Sequence, residues 1–325
     1  NEYLEFHKTR QIENTSNIIQ NKSAFSFKDI EYLSGITLNY TPSLKFLDEL
    51  TTKIDQAKNK VYVEVYIFTE KRLKKALKDA KKRGLDVKVI LEKNVYLAGN
   101  LNKETFNELK NAGIEVVYSN TENYALNHTK MMIIDDEVVI STGNYSYSTF
   151  KYNREFFISL KDESYKDVFL EIFENDFNGE KFEISKNNLV LSPFSSREKL
   201  EYLIQNAKKS IKIYSHNFGD EDIKNILVNQ RQNNILIQMI FPDLKKVSSN
   251  KEIINDLKSN KIYIKIIDKP EIHAKTILID DEYLYIGSIN FSNYSIDKNR
   301  EIGILIKNQE IIKNFLDIFN DDFLK

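Results

Sequence analysis

The apolar positions of the chain fall into two alternating kinds of run. Leu47, Leu50, Ile54 and Ala57 recur at helical spacing, as do Leu200, Leu203, Ile204 and Ala207, so each set covers one face of a helix. A run rich in β-branched and aromatic residues follows each, Val61 to Phe68 and Ile211 to Phe218, and reads as a strand. Through the first half the pattern predicts strands at Val61–Phe68, Val87–Leu91, Ile114–Tyr118, Lys130–Asp135 and Phe156–Leu160. It predicts helices at Lys71–Lys82 and Lys103–Ala112. Strands alternating with helices imply an α/β fold, a mixed sheet with helices packed on its faces.

The two halves match each other. TPSLKFLDELTTKIDQAKNKVYVEVYIF, from Thr41, is echoed by SPFSSREKLEYLIQNAKKSIKIYSHNF, from Ser192, with Pro42 and Pro193 in second place. KMMIIDDEVVIS is echoed by KTILIDDEYLYIG, KYNREFFISL by DKNREIGILI, and FLEIFENDF by FLDIFNDDF. The offset is 150 at Ala57/Ala207, 145 at His128/His273 and 146 at Asn144/Asn290, Glu155/Glu301 and Phe169/Phe315. So small a drift over so long a stretch marks a duplicated unit. Residues 36–180 form the first unit and 181–325 the second, with the linker in the polar stretch Gly179 to Asn188. Residues 1–35 match nothing in the second unit and read as an accessory helical or extended N-terminal arm.

Composition narrows the class. With 325 residues, 47 Lys+Arg and 48 Asp+Glu, the net charge is −1, which gives no global attraction to nucleic acid. Hydrophobic residues at 41% exclude a disordered chain. The absence of Cys excludes disulfide scaffolds, Cys-ligated zinc, iron–sulfur clusters and thiol nucleophiles. No apolar run reaches the roughly 18 residues of a membrane span. The chain starts at Asn1 rather than Met, which implies an upstream piece and leaves open whether it was a secretory signal or a lipid anchor. Together with the lack of Cys, this leans toward an extracytoplasmic or membrane-associated setting.

Two of the four histidines occupy equivalent repeat positions, each opening H-x-K at the start of a strand. His128 is followed by Lys130, Asp135, Asn144 and Glu155, and His273 by Lys275, Asp280, Asn290 and Glu301. Residues two apart on a strand share a face, which sets an imidazole beside an ammonium twice. A lone His beside a Lys is ordinarily a surface residue. Duplication of a packing core, however, gives no reason to keep His, Lys, Asn and Glu together, so these residues predict a shared site.

HTKMMIID, STGN and NRE in one half, and HAKTILID, GSIN and NRE in the other, resemble the two HxKxxxxD motifs of the phospholipase D superfamily, over about residues 36–325. The resemblance extends to bacterial phospholipase D, cardiolipin synthase-like and nuclease-like members. It implies two lobes about a pseudo-twofold axis, with one active site between them built from both motifs. Family members cleave phosphodiesters in phospholipids or nucleic acids, or transfer a phosphatidyl group to an alcohol. By resemblance His128 is the nucleophile, forming a covalent phosphohistidine, and His273 the general acid/base. Glu155 and Glu301, 27 and 28 residues after their histidines, are the acidic residues that accept an Nδ1 proton and fix the tautomer. The first motif departs from the pattern: Ser141 stands where Gly is usual and Thr142 where Ser is usual, with one residue fewer after Asp135.

An anionic diester must be neutralised before attack. Lys130 and Lys275 supply positive charge, and Asn144, Asn290, Thr142 and Ser288 are expected to donate to the non-bridging oxygens. Two ammonium groups can take the place of a metal ion, so no metal and no cofactor is expected. Asp135 and Asp280 are expected to support the adjoining hairpins rather than touch substrate. His216 aligns with Tyr66 at a strand end, where it either lines the cleft or is structural. The leading expectation is phospholipase D action on a glycerophospholipid, by hydrolysis or transphosphatidylation. The alternative is a metal-independent endonuclease on DNA or RNA, against which the net charge argues; a catalytically idle binding module is the third reading. The apolar loop NVYLAGNL either meets a lipid surface or packs on its neighbours, and its counterpart DLKKVSSN is basic.

Overall fold

The computed structural model describes residues 25–120, 122–180, 184 and 186–325; His7 and residues 1–24 of the expected arm lie outside them. The first half runs β1 (Ile36–Tyr40), α1 (Leu44–Gln56), β2 (Lys60–Val65), α2 (Lys71–Lys82), β3 (Asp86–Leu91), α3 (Lys103–Asn111), β4 (Glu115–Tyr118), β5 (Lys130–Ile134), β6 (Glu137–Ser141), α4 (Tyr147–Lys151), β7 (Asn153–Arg154), β8 (Phe156–Leu160) and α5 (Glu163–Asn178). The second repeats it as β9 (Leu189–Ser192), α6 (Ser196–Gln205), β10 (Ser210–Ser215), α7 (Glu221–Gln232), β11 (Leu236–Pro242), α8 (Lys251–Ser259), β12 (Tyr263–Ile267), β13 (Glu271–Ile272), β14 (Lys275–Ile279), β15 (Tyr283–Gly287), α9 (Asn293–Asp297), β16 (Glu301–Ile306) and α10 (Gln309–Leu324).

Each half builds a seven-stranded mixed sheet of the same topology, β1-β8-β6-β5-β2-β3-β4 and β9-β16-β15-β14-β10-β11-β12. Three strands are parallel, joined by crossover helices, and the hairpin and its neighbours are antiparallel. Helix starts follow local chemistry. Ser43 accepts from Phe46 N–H at the head of α1, Asp220 from Ile223 N–H at α7, and Asn308 from Glu310 and Ile311 N–H at α10. Gly179, at φ 72°, ends α5 in the left-handed conformation that a side chain would strain.

Alternation along the strands sends residues to two different cores. Val61, Val63, Val65, Val87 and Val89 face α1, α2 and α3 on the outside of the first lobe. Their neighbours Tyr62, Ile90, Met131, Ile133 and Ile158 face inward, and there they share one core with Leu278, Ile286, Ile302 and Ile304 of the second sheet. The closing helices fill the same layer through Phe169 and Phe173 of α5 and Phe315 and Phe319 of α10. Strands β5, β6, β8, β14 and β16 are therefore buried on both faces, and they read as continuous apolar runs. Within residues 25–35, Phe25 and Ile30 enter the outer core of the second lobe and Phe27 stacks on Tyr283, ring centroids 4.2 Å apart. The chain then crosses to the first sheet, where β1 pairs with β8.

Candidate active site

Both HxK segments lie where the central parallel strands end. Lys130 opens β5 opposite Val65, the last residue of β2, and Lys275 opens β14 opposite Ser215, the last of β10. The histidines stand two residues earlier, beyond that pairing, and their backbones turn to the other lobe. His128 N–H donates to Arg300 O (2.8 Å) and His273 N–H to Arg154 O (3.3 Å), while β13 runs parallel to β7 across the lobe boundary.

The side chains make the same exchange. His128 Nδ1 lies 2.8 Å from Glu301 Oε2, and His273 Nδ1 lies 2.6 Å from Glu155 Oε1. The glutamate that follows one histidine in sequence thus orients the other. Both carboxylates are fully buried. Gly143 makes room on one side: a Cβ there would stand 2.6 Å from Glu155 Cδ. The equivalent position in the second half is Ile289, while Gly287 there meets the backbone of Gly303, so it is the glycine at 143 that accommodates Glu155.

The hydroxyls of Thr142 and Ser288, expected to donate to the non-bridging oxygens, donate within the protein. Thr142 Oγ1 donates to Glu155 Oε2 (2.6 Å) and accepts from Phe156 N–H (3.0 Å); Ser288 Oγ donates to Ile302 O (3.2 Å) and accepts from Ile302 N–H (3.1 Å). Both hydroxyls are buried at the strand ends, where unpaired backbone and carboxylate groups claim them. Asn144 and Asn290 differ from them, since the Oδ1 atom of each is buried without a partner among the described residues. Asp135 accepts from the N–H groups of Lys58, Asn59 and Lys60, and Asp280 from those of Lys208, Lys209 and Ser210, tying each hairpin to the turn before the central strand.

The two lysines are fully buried. Lys130 Nζ donates to His128 O (2.7 Å) and lies 5.2 Å from the Tyr66 ring centroid. Lys275 Nζ donates to Thr142 O in the other lobe (3.2 Å) and stands 3.0 Å from His273 Nδ1. Burial, reinforced by the charge of Lys275, holds Lys130 well below its usual range, and burial brings Lys275 down to about 8 against the pull of Glu155 and Glu301. An arriving anion favours the charged form of both.

The histidine–glutamate pairs are electrostatically unequal. Burial opposes ionisation of Glu155, yet His273, Lys275 and the Thr142 hydroxyl hold it down to about 2. Glu301 is pushed up to about 7 by burial, against the charge of Lys130 and the polar groups of Ser295, Ser288 and Asn299. Burial lowers His273 while Glu155 supports its charge. His128 is driven well below the usual imidazole range by burial and then by Lys130, Lys275 and His273, with the Ser288 backbone working the other way.

Aromatic rings complete the walls. Tyr66 meets His128 edge-on with centroids 4.7 Å apart, and His216 lies against His273 at 4.3 Å. The apolar loop after β3 joins the rim, because Tyr96 N–H donates to Tyr66 Oη (2.7 Å), while Tyr96 and Leu97 stand 75% and 90% exposed. The basic counterpart after β11 pairs Lys246 with Glu271, two residues before His273, at 2.5 Å.

The arginines of the NRE repeats were not among the expected site residues. Arg154 forms a bidentate pair with Asp322 on α10, and Arg300 pairs with Asp176 on α5, so each reaches the closing helix of the opposite lobe. The repetition of Asn-Arg-Glu was the available signal. Among the described residues no group of three or more His, Asp or Glu is placed to hold a metal ion, and no helix is long and apolar enough to cross a membrane.

Residues 50–177 and 200–323 match the family described as "Cardiolipin synthase, PLD-like domain". The chain is 25% identical to "Major cardiolipin synthase ClsA" of Bacillus subtilis, over 98% of its own length and 77% of that protein. It is 24% identical to a polyphosphate kinase of Vibrio parahaemolyticus over 81% of its length, spanning 40% of that protein. Among solved structures, a phosphatidylserine synthase of Haemophilus influenzae superposes with a TM-score of 0.68 at 11% identity, covering 88% of this chain and 85% of that one; the likeness concerns the fold.

Proposed function

Because this chain belongs to the phospholipase D-like family of phosphodiester-acting enzymes, we propose that it exchanges the head group of a glycerophospholipid through a covalent phosphohistidine, without a metal ion. The observation that carries this reading is the reciprocal crossing of His128 to Glu301 and His273 to Glu155, which gives both imidazoles a common surrounding and carboxylate partners of unequal basicity.

In the first step His128 Nε2 attacks phosphorus. The bond to the leaving alcohol breaks, and His273 gives that oxygen its proton. In the second, His273 takes a proton from water or an alcohol whose oxygen attacks the phosphohistidine, breaking the P–N bond and freeing His128. Lys130 and Lys275 neutralise the non-bridging oxygens, and the Asn144 and Asn290 amides bind them. Thr142 and Ser288 act one step back, holding the strand ends and the Glu155 carboxylate. Ionised Glu155 keeps His273 able to carry a proton, whereas His128, pressed by three cationic groups, stays neutral and nucleophilic.

A lipid substrate is supported by the near-balanced charge of the chain, by a cardiolipin synthase that it matches along nearly all its length, and by the apolar tip Tyr96–Leu97 beside the site. The test is side-by-side incubation, in chelator, with vesicles of phosphatidylglycerol or phosphatidylcholine, with DNA and with polyphosphate. Phosphatidic acid or a transphosphatidylation product such as cardiolipin is the expected result. Turnover of DNA or polyphosphate alone, or loss of all turnover in chelator, would overturn the reading.

A pH dependence follows from the His128–Glu301 pair. When the pair holds one proton, Nδ1–H donates to the carboxylate and the Nε2 lone pair is free. With a second proton Nε2 is blocked, whether the carboxyl is neutral or the ring is charged. Activity is therefore expected to rise as pH passes upward through about 7, where Glu301 gives up its proton. Gln in place of Glu301 still accepts from Nδ1–H and does not titrate, so a pH–rate profile of Glu301→Gln should show the acid limb displaced to lower pH.

A further inference from the structure

We propose that His216 is a positioning residue for His273, a third imidazole that makes the two halves of the site unequal in proton transfer; this rests on the reading of His273 as the proton carrier. Tyr66 and His216 occupy one structural position twice, each one residue past the end of its central strand. The backbone is held the same way in both. Asn102 Nδ2 donates to Tyr66 O (2.7 Å) and its Oδ1 accepts from Phe68 N–H (3.0 Å); Asn250 Nδ2 donates to His216 O (2.9 Å) and its Oδ1 accepts from Phe218 N–H (2.9 Å). The fold thus delivers two different side chains to equivalent places.

Tyr66 is committed. Its hydroxyl accepts from Tyr96 and its ring lies beside Lys130. His216 is not committed in this way: its Nδ1 is buried without a partner among the described residues, and its ring lies against His273 at 4.3 Å, tilted 50°. Asn290, the motif amide, works against that burial by favouring the charged form of the His216 ring. The titratable groups facing it are His273, Lys275 and His128, and those facing His273 in turn are Glu155, Lys275 and Lys130. A neutral ring among these cations presents a π face to a protonated His273 without adding like charge. It also fixes the plane in which His273 Nε2 meets the leaving oxygen, where small misplacements are costly.

The test is His216→Tyr, which places the same residue in both halves, with His216→Gln as a smaller replacement; a thermal melt verifies folding of each. Rates are compared on phosphatidylglycerol vesicles, whose alkoxide leaving group needs a proton, and on bis(p-nitrophenyl) phosphate, whose leaving group does not. Turnover of the lipid should fall about 10- to 100-fold, part of what general acid catalysis contributes, with its alkaline pH limb shifted. The initial release of nitrophenolate should stay within about twofold of wild type, since that step needs no proton donor. Equal losses on both substrates with unchanged pH limbs, or no loss on either, would overturn the proposal while leaving the parent reading intact. Wild-type protein inert on both substrates would overturn the parent reading and this one with it.

Discussion

His128→Ala is expected to reduce turnover of every substrate by about 10⁴-fold or more, because it removes the imidazole assigned to receive the phosphoryl centre. His273→Ala should be as damaging toward a lipid but not toward an activated ester. With bis(p-nitrophenyl) phosphate the first displacement proceeds without a proton donor, and the second, which needs a base, stalls. A covalent adduct on His128 should then accumulate, be visible by intact-protein mass spectrometry and hydrolyse in acid. The reverse pattern, with adduct trapped in His128→Ala, would exchange the two roles. The electrostatics predict the stated order: Glu155, held ionised, stands against His273, whereas Glu301 is pushed up to about 7 beside His128.

The largest effect on stability is expected at Arg154. Its guanidinium is buried, donates through Nε and Nη2 to Asp322 at 2.6 and 2.9 Å, and through Nη1 to Thr41 O at 2.6 Å; Tyr214 Oη adds a bond to Asp322 at 2.7 Å. Arg154→Ala leaves the buried Asp322 carboxylate with only Tyr214 and the half-exposed Lys325 as partners and should cost about 3 kcal/mol, the low end for breaking a buried pair. Replacing both partners by apolar residues, Arg154→Met with Asp322→Leu, should cost distinctly less, since the one charge left without its partner, Lys325, is half exposed to water. Urea denaturation of the wild type and the two variants measures this. Activity should fall even where the fold survives, because Arg154 O receives the His273 N–H.

Much of this was legible in the chain. The strands and helices anticipated in the first half lie within a few residues of β2, α2, β3, α3, β4, β5 and β8, because each carries a long periodic run or is bracketed by polar turns. Elements without such a run were missed. β1 and β9 are five and four residues long and lie just before Pro42 and Pro193, and α4 and α9 are single turns capped by Ser146 and Ser292. β7 and β13 owe their pairing to the other lobe, which no local pattern records. The same limit applied to the site. Duplication exposed His128, His273 and the glutamates as a set, but offsets along one chain cannot tell a contact within a lobe from one between lobes. Hydroxyl chemistry alone pointed Thr142 and Ser288 at substrate, and only the packed structure shows that buried carboxylate and backbone groups claim them first.

The exchange of glutamates between lobes has a consequence for how the halves can change. A substitution that dislodges Glu155 disarms a histidine encoded more than a hundred codons downstream, and the converse holds for Glu301. Neither copy of the duplicated segment is therefore free to drift into a separate trade while its twin keeps the old one. A fragment carrying a single copy would hold an imidazole without its own carboxylate, and it would regain a whole centre only by associating with a second such fragment.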